Sequence, residues 1–290
     1  MTQLPPPAAT GETWTGARWH DVTDSETGAV RRVFIWTPPG EPPAEGWPAL
    51  FMTDGNAVIG TAIDAMRAQA CYPSGANVGW GVLIAVGYPT DGAYDPFRRS
   101  WDLGPPPGQT YPPFYDGGEP VRTGGAAEMA RFLLEQVLPQ AETLAPLNPA
   151  HRGLFGHSFG GLFALWLLFT RPGAFSHWIA ASPAITWEDS FLLQHQARFD
   201  PGPHRPYVHL SAGEWEGARL APFQEGAADA AERLTEKEKT RTIAAAQDMA
   251  DALNQLPGVA ADYETYAGEN HMSVLPVAVN RAIQKVFALS

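Results

Sequence analysis

Apolar and polar positions follow two rhythms along this chain, and the change from one to the other marks out strands and helices. Residues 28–39, GAVRRVFIWTPP, alternate with a period of two and stop at a proline pair, so they predict an early strand. A second strand is expected over 49–53, ending in Asp54-Gly55. WGVLIAVGYP is apolar on both faces and closed by Gly87 and Pro89, as an interior parallel strand is. Further strands are expected over 151–155, 175–181, 206–212 and 261–266. Between them the period lengthens to that of a helix. Helices are expected over 60–70, 125–138 (stopped by Pro139), 162–170, 188–200 and 274–287, with 222–256 as one long helix or a bent pair. Residues 1 to about 15 read as an arm, flexible or lying on a sheet edge.

Strands and helices alternate throughout, with no internal repeat and no linker. The expectation is a single α/β domain over 1–290, a mostly parallel central sheet with helices on both faces. Residues 88–123 keep neither period, and so long an irregular segment is usually functional. Its tyrosines, Phe97, Trp101 and Phe114 suit the wall of a pocket inserted into the domain.

Composition supports a globular chain: 44% of the 290 residues are hydrophobic and 17% charged. A formal net charge of -12 repels polyanions, so neither nucleic acid nor an anionic membrane surface is an expected partner. No apolar run is long enough to span a bilayer. The single cysteine, Cys71, excludes an intrachain disulfide and is expected as a small buried hydrophobe. The N-terminus lacks the pattern of a secretory signal. A cytoplasmic monomer or homodimer is expected, and the periplasm stays open for a trimmed mature chain.

The candidate chemistry centres on Gly156-His157-Ser158-Phe159-Gly160. Ten serines and 29 glycines in 290 residues give G-x-S-x-G only about 0.1 chance occurrences. An apolar strand precedes this one and an apolar helix follows it, the setting in which such a turn holds a nucleophilic serine at a helix N-terminus. A hydroxyl needs a base. Of the eight histidines, His271 alone follows the last expected strand and precedes the last helix, where an α/β-hydrolase carries its base. The orienting acid should lie between the two, and GEWEG offers Glu214 and Glu216. Strand alternation does not choose between them. The oxyanion hole needs two N–H groups, and the amides of Phe159 and Asn56 are the candidates. Gly55 is expected to supply the unusual backbone angle before Asn56, and Asp54 reads equally as a strand-end cap. No metal-ligand spacing occurs, so neither a resident metal nor a cofactor is expected.

Taken in order, RRVFIWTPPG, PALFMTDGNAV, VLIAVGYP, RRSWDLGP, HRGLFGHSFGGLFALW, SHWIAASPAITW, HLSAGEWEG and GENHMSVLP resemble the putative-esterase branch of the α/β-hydrolases, which includes the esterase D-like enzymes. Within it the chain looks most similar to bacterial ferric-siderophore esterases that open enterobactin-type trilactones. The resemblance runs from residue 31 to residue 276. It implies Ser158 as nucleophile, His271 as base, and Phe159 and Asn56 at the oxyanion hole. In this branch the acid stands three residues after the strand-end glycine, here Gly213, which favours Glu216 over Glu214. Arg98 or Arg99 matches an arginine beside the pocket, and Trp187 an aromatic after the Ser182-Pro183 turn. Gly104-Pro105 departs from the family's threonine-proline. Arg98, Arg99, Trp101 and Trp187 are the expected substrate contacts. The arginines' alternative is to pair with Asp95 and Asp102. The implied substrate is a small-molecule ester, a siderophore trilactone being the leading case, with any iron entering as part of it. A general carboxylesterase, an S-formylglutathione hydrolase-like thioesterase and an acyltransferase with the same triad are the alternatives.

Overall fold

In the computed structural model, residues 10–12 and 16–289 are described, and the remainder of the expected N-terminal arm lies outside them. They build one nine-stranded sheet. The strands are β1 (Thr10–Glu12), β2 (Arg18–Thr23), β3 (Val30–Trp36), β4 (Trp47–Met52), β5 (Val82–Gly87), β6 (Leu147–His157), β7 (His177–Ala181), β8 (Tyr207–Gly213) and β9 (Ala260–Tyr266). Their spatial order is β1-β2-β3-β5-β4-β6-β7-β8-β9. The first three form antiparallel pairs, and every pair from β5-β4 to β8-β9 is parallel.

Strict alternation sends each strand's side chains into two cores. In β4, Trp47, Ala49 and Phe51 face one core, and Leu50 and Met52 the other. In β5 the split is Val82, Ile84, Val86 against Leu83 and Ala85, and the whole strand is buried. Helices α1 (Gly55–Ala70) and α7 (Val274–Val286) cover one face. The other carries α2 (Pro96–Leu103), α3 (Ala126–Phe132) with its continuation to Leu144, α4 (Phe159–Thr170) and α6 (Thr242–Asn254), with α5 (Ala230–Thr240) outside them. Helix α4 buries every side chain from Leu162 to Phe169, so it is apolar all round.

Several elements differ from the sequence expectation. Strand β2, RWHDVT, lies between β1 and β3 but is polar and only half-buried, so it carries no apolar alternation to read. Pro139 does not stop its helix: a π turn over Leu133–Val137 widens the coil, and Pro139 sits in the first turn of the next segment, Leu138–Leu144. A proline there removes no hydrogen bond that the segment needs. The irregular stretch holds α2, started by the Asp95 side chain accepting from the Arg98 amide at 3.1 Å, and a two-strand ribbon of Thr110–Tyr111 and Val121–Arg122. The helix expected over 188–200 is broken, because Glu188, Asp189 and Ser190 all have positive φ. The 222–256 region is the bent pair, α5 and α6 meeting at Arg241 with φ 46°. Cys71 is exposed rather than buried: it closes α1 at its last turn, beyond the buried stripe that ends with Ala70.

Candidate active site

Strand β6 ends at His157 and α4 begins at Phe159, so the chain reverses around one residue, Ser158, held at φ 58° and ψ -116°. That conformation is costly for a residue with a β-carbon. Its neighbours hold it: the Ser158 amide donates to the Ala181 carbonyl at 2.9 Å, and the Ser158 carbonyl accepts from Leu162 at 3.0 Å. Two glycines make room for the turn. A β-carbon on Gly156 would lie 2.0 Å from the Gly160 carbonyl oxygen, and one on Gly160 would lie 2.3 Å from Thr53 Oγ1. The end of β4 is therefore pressed against the turn.

His271 reaches this serine from the loop between β9 and α7. Its Nδ1 lies 2.6 Å from Glu216 Oε2 and its Nε2 lies 3.1 Å from Ser158 Oγ. A carboxylate only accepts, so Nδ1 carries the proton, Nε2 is the free base, and the serine hydroxyl donates to it. The other Glu216 oxygen accepts from Ser182 Oγ at 2.5 Å and from the Gly213 amide at 2.8 Å. Burial pushes the Glu216 carboxyl up, but the His271 bond and charge, with the Ser182 and Gly213 donors, hold it below its ordinary value.

Glu214 goes elsewhere. Residues Glu214–Glu216 form a 3₁₀ turn, not a strand continuation, so residues two apart leave on different sides. Glu214 accepts from the Gly268 amide at 2.8 Å, and the Trp215 amide donates to the Glu269 carbonyl at 2.9 Å. The loop that carries Glu216 and the loop that carries His271 are thus fastened together.

The candidate oxyanion amides, Phe159 and Asn56, lie in the first turns of α4 and α1, where N–H groups have no intrahelical acceptor and the helix dipole favours negative charge. The left-handed residue before Asn56 is Asp54, with φ 54°, not Gly55. Gly55 is needed for space, since a β-carbon there would come within 3.0 Å of Phe34 and of the β5 backbone. The Asn56 side chain accepts from the Tyr88 amide at 2.9 Å and donates to the Tyr88 and Thr90 carbonyls at 3.0 Å.

Ser158 and His271 open into a cavity of about 730 Å³. One wall is aromatic: Trp187 packs edge-on to Phe159 with ring centres 5.5 Å apart, and Tyr111 stands 6.4 Å beyond it. The α5–α6 junction contributes Glu236, Lys239 and Arg241 to the lining, and Glu188 and Asp189 line the cavity as well. Of the four expected substrate contacts, only Trp187 lines this cavity. Arg98 donates to the Val30 carbonyl and lies over Tyr88, and Trp101 donates to Glu128 at 3.2 Å; both border a separate surface hollow. Arg99 pairs with Asp54. Neither arginine pairs with Asp102, which Arg31 holds at 2.6 and 2.8 Å. The contributions of Ser182, Lys239 and Arg241 escaped the sequence reading. In the sequence Ser182 reads only as part of a turn, and Lys239 and Arg241 only as part of the helical stretch 222–256. Among the described residues no cluster of His, Cys, Asp and Glu is arranged to hold a metal ion.

The sequence model described as "Putative esterase" matches residues 25–273. The ferri-bacillibactin esterase BesA of Bacillus subtilis is 33% identical over 261 residues, covering 89% of this chain and 84% of that protein. A siderophore triacetylfusarinine C esterase of Aspergillus fumigatus is 34% identical over 258 residues, 83% of this chain and 81% of that one. The siderophore hydrolase EstA from Aspergillus nidulans superposes with a TM-score of 0.80 at 28% identity, covering 100% of this chain and 98% of its own. The fold is that of an α/β-hydrolase.

Proposed function

The chain belongs to the putative esterase family, and on that premise we propose that it is a serine esterase that opens siderophore trilactones through an acyl-enzyme. The observation that carries the reading is the hydrogen-bonded series Ser158–His271–Glu216 at the mouth of an aromatic-walled cavity. Ser158 Oγ attacks the ester carbon as His271 Nε2 takes its proton. Glu216 fixes the imidazole tautomer and balances the imidazolium. The carbonyl oxygen, now negative, faces the Phe159 and Asn56 amides. The carbon–oxygen bond to the alcohol breaks, and the imidazolium protonates the departing oxygen. Water then attacks the acyl-enzyme, giving its proton to His271, and Ser158 is restored as the acid leaves.

Two further facts support the substrate class. The relatives above are named as esterases of bacterial and fungal siderophores. Tyr111, Phe159 and Trp187 offer flat apolar surface for an aromatic acyl group, and Lys239 and Arg241 line the same cavity together with Glu188, Asp189 and Glu236. The test compares kcat/KM for enterobactin-type trilactones, iron-loaded and iron-free, with short p-nitrophenyl esters and S-formylglutathione. Trilactones are expected to be the preferred substrates. Efficient cleavage of the small esters with no trilactone turnover would leave a general carboxylesterase. Added alcohol acceptors are expected to leave free acid as the main product, and transfer to the alcohol would make the chain an acyltransferase.

A further inference from the structure

Ser182 takes no part in the scheme above, yet its hydroxyl makes the shorter of the two bonds to Glu216 Oε1, 2.5 Å against 2.8 Å from the Gly213 amide. Resting on the serine-esterase reading, we propose that Ser182 is a positioning residue of the triad. Its hydroxyl fixes the rotation of the Glu216 carboxylate so that the second oxygen faces His271.

Ser182 is the first residue beyond β7 and is 1% exposed. Its amide donates to the Ser211 carbonyl of β8 at 2.7 Å, and the carbonyl just before it, that of Ala181, accepts the Ser158 amide. One dipeptide therefore joins the nucleophile turn to the strand that leads to the acid. A carboxylate turns freely about its last carbon–carbon bond unless its oxygens are held. Oε1 is held twice, by Ser182 and by Gly213, which leaves Oε2 to His271 Nδ1 at 2.6 Å. With the Ser182 hydroxyl gone, a buried oxygen keeps one donor, and a charged acceptor left half-satisfied in the interior will tilt to find another.

The backbone gives a second reason to assign the role to the hydroxyl. Ser182 has φ 44°, a conformation that glycine adopts without cost and that serine does not. The position carries a β-carbon against that preference, and what the β-carbon brings is the Oγ. Three further groups, Lys237, His157 and Tyr263, interact with Glu216 through charge, and Arg233 and Glu236 line the same surface cavity as Glu216. Among the described residues none of the three bonds its carboxylate; the Lys237 ammonium donates to the Trp215 carbonyl instead.

The test uses Ser182→Ala and Ser182→Gly, with Ser158→Ala and Glu216→Gln as references. It reads kcat and KM on p-nitrophenyl butyrate, the pH profile of kcat/KM, and thermal unfolding. Both Ser182 variants are expected to lose about 10- to 100-fold in kcat, with KM within about threefold of the parent. The acid limb of the profile is expected to move to higher pH. A carboxylate that has lost a donor is more basic, so the Glu216–His271 pair keeps its proton longer. Glycine relieves the backbone and alanine does not, so equal losses assign the effect to the hydroxyl. Full activity in Ser182→Gly alone would assign it to the backbone and overturn the proposal. Parental kcat and pH profile in both, with Ser158→Ala and Glu216→Gln inactive, would also overturn it while sparing the esterase reading. Activity retained in Ser158→Ala would overturn that reading, and this assignment with it.

Discussion

Arg99 grips Asp54 through two hydrogen bonds of 2.9 Å each, and Asp54 is the residue that turns left-handed where β4 gives way to α1. The pair is largely buried, with side-chain exposures of 16% and 3%. Burial alone would lower the arginine's proton affinity, and the Asp54 carboxylate, with Tyr88 and Tyr94, more than offsets it. Two residues further on is Asn56, whose amide is a candidate oxyanion donor. The guanidinium therefore clamps the turn that aims that amide.

This relationship predicts how Arg99 variants behave. Arg99→Met is expected to lower kcat by about tenfold or more on every ester, neutral or anionic, with KM little changed, since the loss of one oxyanion donor costs that much or more. The check is a paired assay on p-nitrophenyl acetate and an iron-loaded trilactone. A rise in KM confined to the anionic substrate would make Arg99 a ligand contact instead.

The two glutamates separate cleanly. Glu216→Gln is expected to reduce kcat by about 10² to 10⁴, because an amide neither balances the imidazolium nor enforces the tautomer. Glu214→Gln keeps an oxygen that can accept from the Gly268 amide, so its loss is expected to stay within about threefold. Steady-state kinetics on the purified pair decides it. The reverse ranking would move the acid to Glu214.

How much of this was legible beforehand depended on the kind of signal. Ser158, His271 and the parallel strands were readable because glycine spacing, chain order and apolar runs are local. The choice of Glu216 was not readable from alternation, since a 3₁₀ turn replaced the assumed strand continuation. The roles of Arg98 and Arg99 lay in partners far away in the chain, Val30 and Asp54, which no local pattern encodes. Strand β2 was hidden because its polar residues are no more than half-buried on either face, so it carries no alternation. Lys239 and Arg241 became cavity residues only through the bend at Arg241, which puts that charged stretch on the same cavity as Ser158.

The aromatic wall makes its own prediction. Trp187→Ala removes the ring that packs against both Phe159 and Tyr111. The catalytic bonds do not involve it, so cleavage of p-nitrophenyl acetate is expected to change by no more than about threefold, whereas kcat/KM for an aromatic acyl ester is expected to fall about tenfold or more. Equal losses on the two substrates would mean that Trp187 supports the turn at Phe159 rather than the acyl group.

A last prediction concerns stability and starts from His157, whose ring lies 4.7 Å from that of His271. Burial pushes the His157 imidazole down to about 3, the charge of His271 adding to the effect. Among the described residues its buried Nε2 has no hydrogen-bond partner, so a second ring proton would find no acceptor there. In the unfolded chain a histidine titrates near about 6.5. The folded value lies below the unfolded one, so the stability contributed by the neutral ring is complete above about pH 6.5 and is lost as the pH falls toward 3. One such group gives a slope of at most about 1.4 kcal/mol per pH unit. His177, pushed down to about 4 by burial and by His151 beside it, adds a second group over the upper part of that window. Urea unfolding between pH 7.5 and 4.5 is therefore expected to show stability declining below pH 6.5, and His157→Asn to show a slope shallower by about one proton. The variant is also expected to be less stable overall, but the slope is read independently of that offset. An unchanged slope in His157→Asn would mean that the ring takes up its proton in the folded protein as readily as in the unfolded chain, and the neutral state assigned to it would be wrong.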